Sequence, residues 1–288
     1  MNRHRARSGR LAASLVLTLM CLYFLLPIYW LVVASTKDNS GLFAGSSGSL
    51  WFDSRFHLFD NLSALVSYDD GIYLRWLGNS LLYAFAGGVG ATAIAVLAGY
   101  GLAKFDFRGR GFASAVLLGS ITIPLTALVI PTFVLLSSAG LINTVWAVIL
   151  PSCLSPIGVF LMRVYVQDSV PNEIIESARV DGAGEWRILL RVALPLLRPA
   201  VVTVLLLSAV GTWNNFFLPL AVLTSPELLP VTVGLQGWQT QSAGAASAGG
   251  QLWSLITTGS LVSIVPLVIA FLSLQRFWRG GLALGAIK

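Results

Sequence analysis

The residues with the most to offer chemically lie between Ser169 and Pro199, in the stretch SVPNEIIESARVDGAGEWRILLRVALPLLRP. Glu173 and Glu176 open it, Asp181, Gly182 and Ala183 mark its middle, and Arg187 and Arg191 follow. No serine or cysteine here stands at a spacing that pairs a nucleophile with a base. The chain has no G-x-x-x-x-G-K phosphate loop, and the dipeptide Gly-Lys does not occur. G-x-S-x-G and H-E-x-x-H are also missing. Cys21 and Cys153 sit in apolar stretches and read as small buried side chains, neither a disulfide nor a metal pair. His4 and His57 are isolated, which argues against a metal site. The chemistry on offer is recognition by charge and shape. Neither ATP hydrolysis nor any other enzymatic step is expected of this chain.

Two short helices would position these groups. Ser169 can cap the first, Pro171 fits its opening turn, and Glu173 and Glu176 lie where the helix dipole favours anions. Ile174 and Ala178 share a face, with Ile175 beside them. Gly182 ends that helix as a residue free to take positive φ. In the second helix Trp186, Leu189, Leu190 and Ala193 recur at i, i+3, i+4 and i+7, with Arg187 and Arg191 on another face. Pro195 and Pro199 are expected to stop it. Such a pair of helices either rests in lipid headgroups or docks a soluble partner, and the residues alone leave both readings open.

The rest of the chain belongs in a bilayer. Of 288 residues 56% are hydrophobic and 10% charged, against about 25% charged in a soluble domain, and the mean hydropathy is +0.81. A spanning helix needs about 20 apolar residues. Residues 11–33 qualify after an Arg-rich tail at 1–10. A cleaved signal peptide is the competing reading, but its apolar core would be about 7–15 residues, so a retained helix is expected. Residues 34–76 are polar and external, with a short surface helix from Phe59 to Val66 started by Asp60 or Asn61. The core, 77–288, then carries five more spans: Leu77 to Leu102, 113–137, 145–165, Pro199 to Leu223 and Leu252 to Leu274. The third and fourth share the 52 uncharged residues between Arg110 and Arg163, split at Gly140, Asn143 and Thr144. Residues 224–251 are rich in Gly, Ala, Ser and Gln and read as a flexible loop.

With both termini cytoplasmic, the cytoplasmic segments hold 15 Lys and Arg and the external ones 3, which fixes the orientation by the positive-inside rule. Gly87, Ala91, Ala95, Gly99 and Ala103 recur every four residues along the second span. Such a stripe serves close packing within the subunit or at a subunit interface. Trp213, Asn214 and Asn215 sit inside the fifth span, where unpaired amides are costly. They suit either interhelical hydrogen bonds or sugar hydroxyls on a substrate pathway.

A family resemblance decides between the two readings of the charged stretch. Glu176, Ala178, Gly182, Val192, Leu194 and Pro195 meet the spacing E-x-A-x-x-x-G-x₉-hydrophobic-x-L-P, with Asp181-Gly182-Ala183 as the D-G-A element. This resembles the EAA loop of permease subunits in bacterial ATP-binding-cassette importers; Ser177 departs from the usual second Ala. Asn79-Ser80, Ile123-Pro124, Ile130-Pro131, Gly140 to Thr144, Trp213-Asn214 with Phe216, and the closing Gly281-Leu282 and Gly285 to Lys288 are similar to carbohydrate permeases of the maltose-transporter type.

The resemblance implies an all-α membrane protein of six transmembrane helices with a cytoplasmic coupling loop at 169–199. It also implies a bacterial cytoplasmic-membrane location. The implied partners are a second permease, two ATPase subunits that bind the ATP and Mg, an extracytoplasmic solute-binding protein and membrane lipid, with no nucleic acid and no cofactor in this chain. In that setting Glu176 makes a charge contact with the ATPase and Gly182 permits a close turn. Ala178 and Ala183 keep the docking face small, and Leu194 and Pro195 tie the loop to the fifth span. The loop at 224–251 reaches towards the binding protein. An ion-gradient-driven transporter is the alternative. It usually carries an ionisable residue within a span, and here Arg163 alone comes close, at a cytoplasmic end.

Overall fold

The computed structural model describes the backbone of residues 2–43, 50–244 and 252–284, and side chains of 13–43, 50–244 and 252–275. The motif Gly285 to Lys288 and residues 245–251 lie outside these. No strand occurs among the described residues. In chain order the helices are α1 (Asn2–Ser35), α2 (Asn39–Phe43), α3 (Leu58–Ser67), α4 (Ile72–Lys104), α5 (Arg110–Thr122), α6 (Val129–Ser138), α7 (Trp146–Ser152) and α8 (Pro156–Ser169). Then come α9 (Asn172–Val180), α10 (Glu185–Ile188), a π turn over Leu189–Ala193 and α11 (Leu194–Leu196). The chain ends in α12 (Arg198–Trp213), α13 (Phe217–Val222), α14 (Val231–Gly244) and α15 (Trp253–Leu284).

Among the described residues four stretches are long and apolar enough to cross a membrane: Ala13–Ser35, Leu58–Lys104, Trp146–Ser169 and Trp253–Gln275. Counting each of two bent pairs as one span gives up to six by length and composition: Arg110–Thr122 with Leu125–Ser138, bent by 101°, and Glu185–Leu196 with Arg198–Trp213, bent by 83°, of which only the second half belongs to the expected fifth span. This is the six-span, all-α membrane architecture.

The chain forms two compact units. One comprises 1–73 with 235–264, the other 74–234 with 265–288. In the first unit α1 exposes Leu17, Tyr23 and Phe24, the surface a lipid-facing helix presents. At its end Asn61 Nδ2 donates to the carbonyls of Ser35 and Lys37, both at 2.9 Å, and the buried Lys37 ammonium pairs with Asp53 at 3.2 Å. Asn61 is therefore committed to its neighbours and does not cap α3. That helix starts at Leu58, with His57 at the cap position but no side-chain cap bond, and Asp60 falls in its first turn.

Two apolar cores stand out among the described residues of the second unit. One gathers Ala95, Tyr100, Met162, Val166, Ile175, Ile188, Leu197 and Val204 from α4, α8 and the segment 172–204. The other gathers Tyr83, Leu136, Val148, Leu218 and Val222 from α4, α6, α7 and α13. The small-residue stripe of α4 packs within the subunit. A Cβ on Gly99 would lie 2.8 Å from the Arg163 backbone nitrogen, and one on Gly87 2.7 Å from Ser152. Ala91 and Ala95 are fully buried.

Several spans depart from the expected uninterrupted helices. The third breaks between Thr122 and Val129, because Pro124 pushes the residue before it out of the α region, and Ile123 is extended at φ −78°, ψ 124°. The fourth breaks after Ser152 and restarts at Pro156, with Ser155 accepting the Gly158 N–H. The fifth breaks after Trp213. Pro219 has no N–H for the Asn215 carbonyl four residues back, and the Thr232 hydroxyl donates to that carbonyl instead, at 3.2 Å. The expected flexible loop at 224–251 contains α14 over Val231–Gly244. Its glycines and small polar residues are compatible with a helix that buries Val231, Gly234, Trp238 and Ser242 at i, i+3, i+7 and i+11.

Candidate functional site

The charged stretch folds into two short helices joined by a tight turn. Ser169 does not cap the first helix; it is the last residue of α8. Pro171 takes the cap position with extended φ/ψ, and α9 starts at Asn172. At the other end the Gly182 N–H bonds the Arg179 carbonyl and the Ala183 N–H bonds the Ala178 carbonyl, both at 3.0 Å. These are the two bonds of a Schellman cap, and Gly182 has the left-handed φ of +78° that such a cap requires. Ala178 and Ala183, the residues that close the cap, pack together against the first apolar core, and Leu194 joins them.

The buried faces differ from those read off the helical period. Ile175, not Ile174, turns inward from α9. In the second helix Trp186 and Leu190 are 68% and 56% exposed, while Ile188, Leu189 and Ala193 are buried. The π turn over Leu189–Ala193 adds a residue to the helical turn and rotates the later positions. Pro195 explains the widened turn: its ring would meet the Arg191 carbonyl in a regular helix, and the Leu194 N–H instead reaches back to Leu189. Pro195 thus sits inside the helical run, which ends at Leu197 and bends by 83° into α12.

Of the seven residues singled out for coupling, Ala178, Ala183 and Leu194 face the core, whereas Glu176, Asp181, Gly182 and Pro195 are exposed. The result is a tip of small and acidic residues mounted on a buried apolar base. Val180 at 88% exposure, Trp186 and Leu190 add an uncovered apolar fringe, more than a solvated surface needs. Across the turn Arg179 Nε donates to Glu185 Oε1 at 2.7 Å. That hydrogen bond holds the Arg179 guanidinium above its ordinary range. Neither this ion pair nor the inward role of Ile188 was signalled by the helical period.

The fifth-span residues are separated from this tip. Trp213 is 5% exposed and ends α12. Asn214 is exposed, and its Nδ2 donates to the Val210 carbonyl of its own helix at 3.0 Å. The amide of Asn214 therefore answers its own broken helix rather than a neighbouring one. Among the described residues no cluster of three metal-ligating side chains occurs.

The family profile described as "binding-protein-dependent transport system inner membrane component" matches residues 91–279, from the middle of α4 through the charged tip and into α15. The chain belongs to that family. Its permease character is seen again in curated relatives. The arabinooligosaccharides transport system permease protein AraQ of Bacillus subtilis is 33% identical over 97% of this chain and 96% of its own. The lactose transport system permease protein LacG of Rhizobium radiobacter is 28% identical over the full length of both. Among solved structures, a bacterial ABC transporter involved in import of the acidic polysaccharide alginate has a chain that superposes with a TM-score of 0.80. It is 22% identical and covers 94% of this chain and 97% of that one. The permease is a transmembrane subunit of a binding-protein-dependent importer, which displaces the ion-gradient alternative.

Proposed function

We propose that this permease carries a sugar or oligosaccharide across the bacterial cytoplasmic membrane. It does so beside a second permease, driven by two cytoplasmic ATPase subunits and fed by an external binding protein. The relatives named for arabinooligosaccharides and lactose support the carbohydrate class, and the 15 to 3 distribution of Lys and Arg supports cytoplasmic termini. The chain itself performs no catalysis; ATP and Mg belong to the partner.

The observation that carries this reading is the exposed Gly182 turn, fixed by its Schellman cap on a buried base. A rigid tip with an acidic and apolar surface is what a partner groove can grip. Glu176 supplies a charge-assisted contact, and Gly182 with Ala183 lets the partner backbone come close. Closure of the ATPase pair then drags the tip, and the spans reorient as rigid elements. Asn214 and Asn215 line the pathway at the break in the fifth span, where non-helical backbone at membrane depth is tolerated against a cavity. Trp213 shapes the wall from its buried position.

Two measurements test this reading. Purification of the tagged chain in mild detergent recovers an ATPase and a second permease. Deletion of its gene abolishes uptake of one member of a panel of labelled oligosaccharides. A transport-competent chain without ATPase contradicts the proposal.

A further inference from the structure

The charged tip touches the spans at more than its two covalent ends. α4 terminates at Lys104, whose ammonium donates to the Val170 carbonyl at 2.5 Å and to Asn172 Oδ1 at 2.7 Å. Val170 is the fully buried residue that follows α8, and Asn172 begins α9. Pro171 between them has no N–H to offer. Lys104 therefore pins the junction at which the fourth span turns into the tip.

The far end of α4 is fastened as firmly. Trp76 Nε1 donates to the Pro226 carbonyl at 2.8 Å, and Asn79 Nδ2 to the carbonyls of Glu227 and Leu229 at 2.7 and 3.0 Å. The Tyr83 hydroxyl donates to the Leu228 carbonyl at 2.8 Å, and Ser80 Oγ accepts the Val231 N–H at 2.8 Å. Four side chains of one helix thus hold the backbone of 226–231, the segment between α13 and α14. From Trp76 to Lys104 the helix rises roughly 40 Å, so its two fastenings lie at opposite membrane faces.

The helices between α4 and this segment are not built to carry displacement over that distance. The third, fourth and fifth spans are each interrupted, at 123–128, 153–155 and 214–216. α4 runs from Ile72 to Lys104 without a break and contributes to both apolar cores.

We infer that α4 is the transmission rod of this permease, with Lys104 as the positioning residue that transfers movement of the ATPase-coupling tip to the segment 226–231 on the opposite face. The inference rests on the importer reading above. Movement of α9 pulls on Lys104 through Asn172 and the Val170 carbonyl. α4 shifts along or about its axis, and 226–231 follows through Trp76, Asn79, Ser80 and Tyr83. The broken spans flex around it.

The test uses the complete transporter, purified with its partners and placed in liposomes, with Glu227→Cys as a reporter. Glu227 is exposed, and only its backbone carbonyl takes part in the fastening. Its reaction with a membrane-impermeant maleimide is followed with and without ATP and vanadate. In the otherwise native complex ATP changes the labelling rate. Lys104→Met keeps the apolar stem and loses the donors. It retains the ATPase subunits and their hydrolysis, loses the ATP-dependent change at residue 227, and lowers uptake per ATP hydrolysed by about tenfold, the scale of a lost charge-assisted hydrogen bond. Lys104→Arg restores the change. Asn79→Leu, at the other end of the rod, abolishes the change independently should the Lys104→Met chain not assemble. An ATP-dependent change that persists in Lys104→Met or in Asn79→Leu overturns the rod. A native complex without ATPase overturns the importer reading beneath it, so the two failures are told apart.

Discussion

Two regions of the second unit are held in place by different physics. The tip at 172–197 stands on buried Ile175, Ile188, Leu189, Ala193 and Leu197 and is shaped by one left-handed glycine. The segment at 223–231 has little helix of its own and is held by side chains that bond its backbone. Asn143 contributes most, in a left-handed conformation with φ 59° that Asn tolerates. Its N–H bonds the Val222 carbonyl at 2.8 Å, its Oδ1 accepts the N–H groups of Thr224 and Ser225 at 3.0 and 2.9 Å, and its Nδ2 donates to Ser225 Oγ at 2.8 Å. An apolar base tolerates changes at the surface it supports. A polar strap fails bond by bond. Surface substitutions at the tip should therefore change what it grips, and substitutions along the strap should change whether it keeps its shape.

The largest effect is expected at Gly182. No atom lies within 4 Å of where its Cβ would stand, so a side chain meets no clash inside the chain, only a left-handed backbone cost of about 1–2 kcal/mol. Gly182→Val is expected to fold, release the ATPase and abolish vesicle uptake. Gly182→Asn relieves the backbone cost and keeps the added bulk. Recovery of uptake by Asn would assign the loss to strain rather than to the partner groove.

Asn143→Leu comes next. It takes the acceptor from the exposed Thr224 and half-buried Ser225 amides and puts a Leu in the left-handed conformation, which by itself costs about 1–2 kcal/mol. It should raise hydrogen exchange at 224 and 225 while ATPase retention stays normal. Unchanged exchange there would remove the contrast between strap and tip. Glu176→Ala is expected to reduce uptake severalfold with most of the ATPase retained, since it deletes one contact and no part of the base. Uptake and retention measured on one preparation decide it. The smallest effect belongs to Arg179→Met. The Arg179 and Glu185 side chains are 42% and 43% exposed, and surface pairs contribute little. Thermal unfolding in detergent should match the parent chain at high salt; a clear loss there would mean the pair, not the Schellman cap, sets the turn.

The same contrast explains what the sequence disclosed. The tip was legible because its determinants are local: a glycine after an acid-led helix, and acids and prolines at fixed spacing. Its inward face was misjudged at Trp186 and Leu190, which are exposed while Ile188 is buried, because a π turn forced by Pro195 is invisible to a 3.6-residue period. Six apolar stretches were legible from hydropathy. The interruptions of the third and fifth were signalled by Pro124 and Pro219, each of which denies the backbone what an unbroken helix needs. The strap was not legible. Asn79 and Asn143 stood out as motif residues, but their partners lie 148 and 82 positions away, and nothing local announces such a bond. Residues 231–244 looked like a flexible linker because Gly and Gln dominate the eye, although Val231, Trp238 and Ser242 keep a helical spacing.

The central claim is that the Gly182 tip is gripped by an ATPase rather than resting among lipid headgroups. Asp181→Cys places a thiol on the exposed side of the turn without disturbing the buried base. Treated with a short bifunctional crosslinker in native membranes, it is predicted to join the chain to an ATPase subunit, with the yield changing when ATP is trapped. A thiol that never joins the ATPase, yet reacts readily with a probe confined to the headgroup layer, would contradict the account.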